Sequence, residues 1–270
     1  MLALSEIQKC IDEAVKANFS FFSSAKEVAQ FALQCVDLTT LEGSDTERKV
    51  RQLCGKAVNF QPHTAAVCVY PLFAGIAKQC LSGTDVKVAC VAGAFPSGQS
   101  PLELKLAEVD YAVTQGADEI DMVISRGKFL EGRSHEVADE IAAIRSHCSS
   151  QRLKVILETG ELQSIENIYR ASMIAMQAGA DYIKTSTGKI AVNATPQAFV
   201  VMLYAIKEYY SLTGRMVGVK PAGGIADTDS ALLYVKLLER ILGAPWLDKR
   251  YFRIGTSRLA DQLYTYIREH

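Results

Sequence analysis

Ala180-Asp181-Tyr182-Ile183-Lys184-Thr185-Ser186-Thr187-Gly188-Lys189 is a short apolar run that carries a lysine and then breaks into small hydroxylated residues and glycine. Gly179 stands where the helical segment before it should stop, and Thr195-Pro196 opens the next one. The unit is therefore helix, strand, helix. Strand alternation puts Tyr182, Lys184 and Ser186 on one face and Ile183 and Thr185 on the other. A lysine so placed points into an interior or a cleft, and a desolvated lysine is a route to an amine nucleophile for carbonyl substrates. On this stretch alone, an ordinary surface lysine near a strand end is the competing reading.

The same unit recurs along the chain. Strand-like runs at 35–40, 66–70, 86–91, 119–124, 153–158, 216–220 and 251–254 join the one at 182–185. They recur mostly every 20 to 35 residues or so, with helix-period segments between them. Ser100-Pro101-Leu102-Glu103 reads as a capping box with proline at the first helical position, and Gly116 as that helix's stop. A second helical stretch covers 24–34, and Leu2, Leu4, Ile7, Ile11 and Val15 make one apolar face of a helix over 1–16. No linker or charge block divides the chain. Eight alternations predict an α/β fold, a single-domain (β/α)8 TIM barrel (35–270) with extra N-terminal helices (1–34) packed on it. The other solution, an open doubly wound sheet, usually carries a dinucleotide or P-loop glycine motif after an early strand, and neither motif is present.

With 270 residues, 49% of them hydrophobic, the chain can bury a large core. A net charge of −1 gives no field for nucleic acid. No apolar run reaches the roughly 20 residues of a membrane span, and the N-terminus lacks the features of a signal peptide. Seven scattered cysteines without a C-x-x-C pair suggest free thiols in a reducing, cytoplasmic setting. Histidines 63, 135, 147 and 270 have no metal-ligand spacing, so neither a metal nor a cofactor is expected.

A barrel places chemistry at the C-terminal ends of its strands. There lies a second lysine, Lys220, in Val217-Gly218-Val219-Lys220-Pro221-Ala222-Gly223-Gly224, on the strand next to that of Lys184. Two ammonium groups about 4 Å apart repel by roughly 4 kcal/mol at an effective dielectric of about 20, worth about three pKa units. Desolvation acts in the same direction, while a neighbouring acid would oppose it. Asp121 shares its strand face with Glu119 and Val123 and is a candidate interior acid able to move protons through water. For Lys220 a phosphate clamp or core-edge salt bridge, and for Asp121 a buried ion pair, remain open. Lys154 is a further candidate inward charge. Cys68 is a candidate pocket lining, or a small buried hydrophobe. The glycines of Pro221-Ala222-Gly223-Gly224 and Gly255-Thr256-Ser257-Arg258 suit a phosphate site after strands seven and eight, with Thr187-Gly188-Lys189 as another arm. Plain turn chemistry is the alternative.

Taken together, 36–41, 67–71, 116–121, 154–162, 178–189 with Ala191-Val192-Asn193-Ala194-Thr195-Pro196, and 219–224 resemble the deoxyribose-phosphate aldolases, class I (Schiff-base) aldolases of the (β/α)8 type. The resemblance implies cleavage of 2-deoxy-D-ribose 5-phosphate to D-glyceraldehyde 3-phosphate and acetaldehyde without a metal. Lys184 would be the Schiff-base lysine, Lys220 the cation that lowers its pKa, and Asp121 the proton-relay acid. Asp37, Thr39 and Thr185 match polar positions around the sugar, and Lys189, Gly223, Gly224 and Ser257 the phosphate site. Arg258 stands where many relatives have a second serine. The chain ends at His270 without the tyrosine-bearing tail many relatives carry, so no tail tyrosine is assigned. The partners expected are phosphosugar and aldehyde substrates and a second copy of the chain in a homodimer. Another phosphosugar aldolase or isomerase, or a non-catalytic sugar-phosphate sensor, are the alternative functions.

Overall fold

Eight parallel strands form one sheet: β1 (Val36–Thr39), β2 (Ala66–Val69), β3 (Lys87–Ala92), β4 (Glu119–Val123), β5 (Arg152–Ile156), β6 (Tyr182–Lys184), β7 (Gly218–Lys220) and β8 (Ile254–Thr256). The computed structural model describes residues 3–270; Leu2, expected on the apolar face of the first helix, lies outside them. β1 pairs with both β2 and β8. The last gap closes where the Val219 amide donates to the Tyr251 carbonyl (2.8 Å) and the Arg253 amide to the Val219 carbonyl (3.1 Å). The result is the expected barrel. Its helices are α1 (Leu4–Lys16), α2 (Ala25–Gln34), α3 (Glu47–Asn59), α4 (Ala74–Cys80), α5 (Leu102–Thr114), α6 (Arg126–Leu130), α7 (Ser134–His147), α8 (Ile165–Gln177), α9 (Pro196–Thr213), α10 (Thr228–Leu242) and α11 (Leu259–Glu269).

The strands read as nearly unbroken apolar runs because both faces are covered. Outward residues such as Leu38, Val67, Val88, Ile120, Val155, Ile183 and Val219 join the helices in one continuous core. Inward residues of β2 and β3 are small, and Ala66, Cys68, Ala89 and Val91 form a separate apolar cluster with Leu41. The opposite interior wall carries charge. α1 packs on α9 and α10, and α2 on α10 and α11; the Phe31 ring stacks on Phe252 with centroids 6.0 Å apart. Among the described residues no helix is long and apolar enough to cross a membrane.

Several helix ends follow the sequence. Thr195 Oγ1 accepts the Ala198 amide at 3.1 Å with Pro196 as the first helical residue, and Gly116 and Gly179 take positive φ. Two expectations need correction. α5 begins at Leu102 with Pro101 itself at the cap and no side-chain cap bond; Ser100 is one residue too early to serve as the N-cap. The eighth strand is displaced from 251–254 to Ile254–Thr256 because the Asp248 carbonyl accepts the amides of Tyr251 (2.8 Å) and Phe252 (2.9 Å), holding that stretch in a turn.

One glycine in the barrel wall is fixed by packing. A Cβ on Gly218 would lie 2.4 Å from Cε1 of Tyr182, whose ring is buried at the same level of the neighbouring strand. Gly218→Ala is therefore expected to lower unfolding free energy by roughly 1–3 kcal/mol, the cost of overpacking a filled interior. A urea midpoint equal to that of the unsubstituted chain would contradict this.

Candidate active site

Strand parity brings seven carboxylate, lysine and arginine side chains into the barrel. Asp37 comes from β1, Glu119 and Asp121 from β4, Lys154 from β5, Lys184 from β6, Lys220 from β7, and Arg253 from the residue before β8. All are buried. Lys184 Nζ donates to Asp121 Oδ2 at 2.8 Å, and Lys220 Nζ donates to the same oxygen at 2.7 Å. Register explains the meeting, since Lys184 and Lys220 are direct partners across β6 and β7. Lys220 also reaches Asp37 Oδ2 at 2.5 Å. Lys154 Nζ lies 2.8 Å from Asp121 Oδ1, 2.6 Å from Glu119 Oε2 and 3.4 Å from Asp37 Oδ2. Arg253 spans Asp37 (2.7 Å) and Glu119 (2.7 Å).

Their protonation tendencies differ with the number of partners. Burial opposes every charge here, yet Lys154 is held above the ordinary lysine range by Asp121, Glu119 and Asp37, and Lys220 by Asp121 and Asp37. Asp37, Glu119 and Asp121 are all held below the usual carboxylate values by their cations, against the burial that opposes them. Lys184 has one carboxylate, shared with others. Its pKa is lowered, first by burial and, after the opposing pull of Asp121, by Lys220. Desolvation thus outranks the lysine–lysine repulsion that the sequence brought forward.

Above this cluster the strand ends build the mouth. Thr187, after β6, gives its amide to Glu158 Oε1 (3.0 Å) and its hydroxyl to Glu158 Oε2 (2.6 Å), while Thr187 Oγ1 accepts the Lys189 amide (3.1 Å). Glu158 is buried and left-handed, with φ 58°, a conformation that costs a non-glycine residue about 1–3 kcal/mol. Lys189 Nζ bridges to Glu42 Oε1, beyond β1, at 2.9 Å. Gly223 and Gly224 both have positive φ; a Cβ on Gly223 would strike Asn193, whereas one on Gly224 would meet open space. Ser257 and Arg258 are exposed and share a groove of about 460 Å³ with Thr39, Lys49 and Lys56.

The remaining expected residues take more structural positions. Asp37 spends its oxygens on Lys220 and Arg253 deep in the barrel. The Thr185 hydroxyl accepts the Ala222 amide at 2.9 Å and so ties β6 to the turn after β7. Thr39 Oγ1 donates to its neighbour's backbone, the Asp37 carbonyl, at 2.8 Å. Cys68 sits in the inward apolar cluster, where burial pushes its thiol up.

A sequence model described as "DeoC/LacD family aldolase" matches residues 31–237. The chain belongs to this aldolase family. Deoxyribose-phosphate aldolases of Bos taurus and Homo sapiens are each 44% identical over 255 residues, covering 88% of this chain and 80% of theirs. The deoxyribose phosphate aldolase of Aeropyrum pernix, solved as a tetramer, superposes with TM-score 0.70 at 26% identity over 99% of both chains. The DeoC/LacD match encloses Lys184 and Lys220 but stops short of Arg253. Arg253 and Glu119 were not singled out from sequence as site residues. The available signal was an arginine between the apolar Phe252 and Ile254 in a strand-like run. Ser186, on the Lys184 face, likewise carries no mark of a role in the sequence. Its hydroxyl is buried without a hydrogen-bond partner among the described residues.

Proposed function

We propose that this aldolase cleaves 2-deoxy-D-ribose 5-phosphate reversibly to D-glyceraldehyde 3-phosphate and acetaldehyde through a Schiff base on Lys184. One observation carries the reading: of the four interior cations, Lys184 is the one held below its ordinary pKa, while it shares an oxygen of Asp121 with Lys220. A neutral amine in that position attacks the open-chain aldehyde at C1 and loses water to give the protonated imine. The C3 hydroxyl then loses its proton, with Asp121 receiving it through water, and the C2–C3 bond breaks. The electron pair moves into the imine and leaves an enamine on Lys184 as glyceraldehyde 3-phosphate departs. Protonation of the enamine carbon and hydrolysis release acetaldehyde and restore the amine.

The phosphate belongs, on this reading, with Lys189, Gly223, Gly224, Ser257 and Arg258, and the sugar with Thr39 and Thr185 near the mouth. The open space beside Gly224 supports it. Gly224→Asp is expected to raise KM for the phosphorylated sugar at least about tenfold, through repulsion of like charges at close range, and to change KM for unphosphorylated 2-deoxyribose little. Equal effects on the two sugars would move the anion elsewhere. The division into an N-terminal extension (1–34) and a barrel (35–270), assembly as a homodimer and a cytoplasmic setting belong to the same proposal. Reaction with acetaldehyde, borohydride reduction and peptide mass mapping test its centre. A stable adduct on Lys184 and acetaldehyde release from the phosphosugar are expected; a label elsewhere, or none, would sink it.

A further inference from the structure

The interior cluster is almost wholly buried and can be counted. Lys154, Lys220 and Arg253 are cations in contact with Asp37, Glu119 and Asp121. Three positive and three negative charges balance, and Lys184 is the one group left over. A protonated Lys184 gives the buried cluster a net charge of +1; a neutral one gives zero. In a low-dielectric interior, net charge is penalised beyond the nearest neighbours.

We infer that Glu119 and Arg253, at the closed end of the barrel and out of contact with the amine, are positioning residues that set the charge state of Lys184 through this balance. The inference rests on the Schiff-base reading of Lys184. Arg253 anchors both far carboxylates, with Nη1 and Nη2 on Glu119 and Nη1 on Asp37, and is itself held by the Lys249 carbonyl at 2.5 Å. Its planar fork spans two carboxylates at once. The groups facing Lys184 are Asp121 of β4, Lys220 of β7 and the Cys68 thiol of β2, with Lys154 of β5 behind Asp121. Tyr182, on Lys184's own strand, is neutral and lies with its ring 5.9 Å from the Arg253 guanidinium. Arg152 of β5 points instead to the outer rim, donating to the Arg250 carbonyl at 2.7 Å. Neither alters the count.

The sign of each substitution follows. Glu119→Gln removes a negative charge, raises the cluster to +2 with Lys184 protonated, and favours the neutral amine. Arg253→Met removes a positive charge, lets a protonated Lys184 complete a neutral cluster, and favours the ammonium. Arg253→Lys keeps the charge, and the pair Glu119→Gln with Arg253→Met restores the balance.

The test is the pH dependence of Lys184 labelling by acetaldehyde with cyanoborohydride, read peptide by peptide. The midpoint is expected to fall by about one pH unit in Glu119→Gln and to rise by about one in Arg253→Met. That is the Coulomb effect of a unit charge at roughly 10 Å and an effective dielectric of about 20. In Arg253→Lys and in the double variant it should return to within about 0.3 units of the original. Midpoints that stay put in both single variants, or move the same way, would overturn the inference. Because this readout titrates the amine without the phosphosugar, failure of the cleavage assay would count against the proposed reaction and leave the charge balance to be judged separately.

Discussion

Lys184→Met should slow turnover of 2-deoxyribose 5-phosphate by about 10⁴-fold or more, the scale on which removing a covalent nucleophile acts, while leaving the fold intact. Methionine has nearly the length of lysine and fills the same channel. Deletion of the ammonium leaves no orphaned carboxylate, because Asp121 keeps Lys154 at 2.8 Å and Lys220 at 2.7 Å. This separates Lys184 from the other interior cations, each of which contacts two or three carboxylates and is replaced in the charge balance only when Lys184 takes up a proton. Since the native fold holds the pKa of Lys184 below its unfolded value, its proton weakens the folded state at neutral pH, and the variant should be no less stable than the parent. Turnover within tenfold of the parent would exclude an imine on this residue. A large drop in thermal midpoint would recast Lys184 as a structural cation.

Lys220→Leu should move the pH–rate profile upward by between about one and three units and lower kcat/KM at pH 7 by about 10²-fold. With Lys220 present, Lys184 is lowered by burial and by its cationic neighbour, against the pull of Asp121. Without it, Asp121 loses one of its cations and binds the remaining ammonium more strongly. Both changes favour the protonated amine, so the rise in rate with pH comes later. In free solution a lysine near pKa 10.4 is uncharged in only about one molecule in 2,500 at pH 7. Measurement of kcat/KM from pH 6 to 10 decides the matter. A lower rate with the profile in its old place would assign Lys220 to proton transfer or substrate contact instead of charge control.

The architecture was legible because each repeat carried its own punctuation. Thr195-Pro196 and Gly179 framed β6 in the sequence and do so in space, and the apolar strands could only belong to a sheet covered on both faces. The meeting of Lys184, Lys220 and Asp121 was legible for a simpler reason: period-two alternation and neighbouring strands leave little freedom. What parity could not supply was distance across the barrel. Asp37 was assigned to the sugar on resemblance, yet it lies among Lys220, Lys154 and Arg253. Those contacts join residues up to 216 positions apart. The turn at 248–252 shifted β8 and hid Arg253, since a turn set by backbone amides on the Asp248 carbonyl leaves only a weak mark in side-chain pattern. Glu158 escaped because left-handed backbone is read most easily from glycine, and here a buried carboxylate adopts it.

The bridge between Lys189 and Glu42 bears on how the mouth fills. On the proposed placement of the phosphate, an anion arriving at Lys189 would compete there with a carboxylate. Docking is then a swap of one counter-ion for another, and the gain in attraction is only the difference between a dianion and Glu42. The displaced glutamate belongs to the loop after β1, whose backbone stays held by Asp45, which accepts the Thr40 hydroxyl and the Glu42 amide. Entry of the phosphosugar would then be an exchange of partners on a rim that keeps its shape.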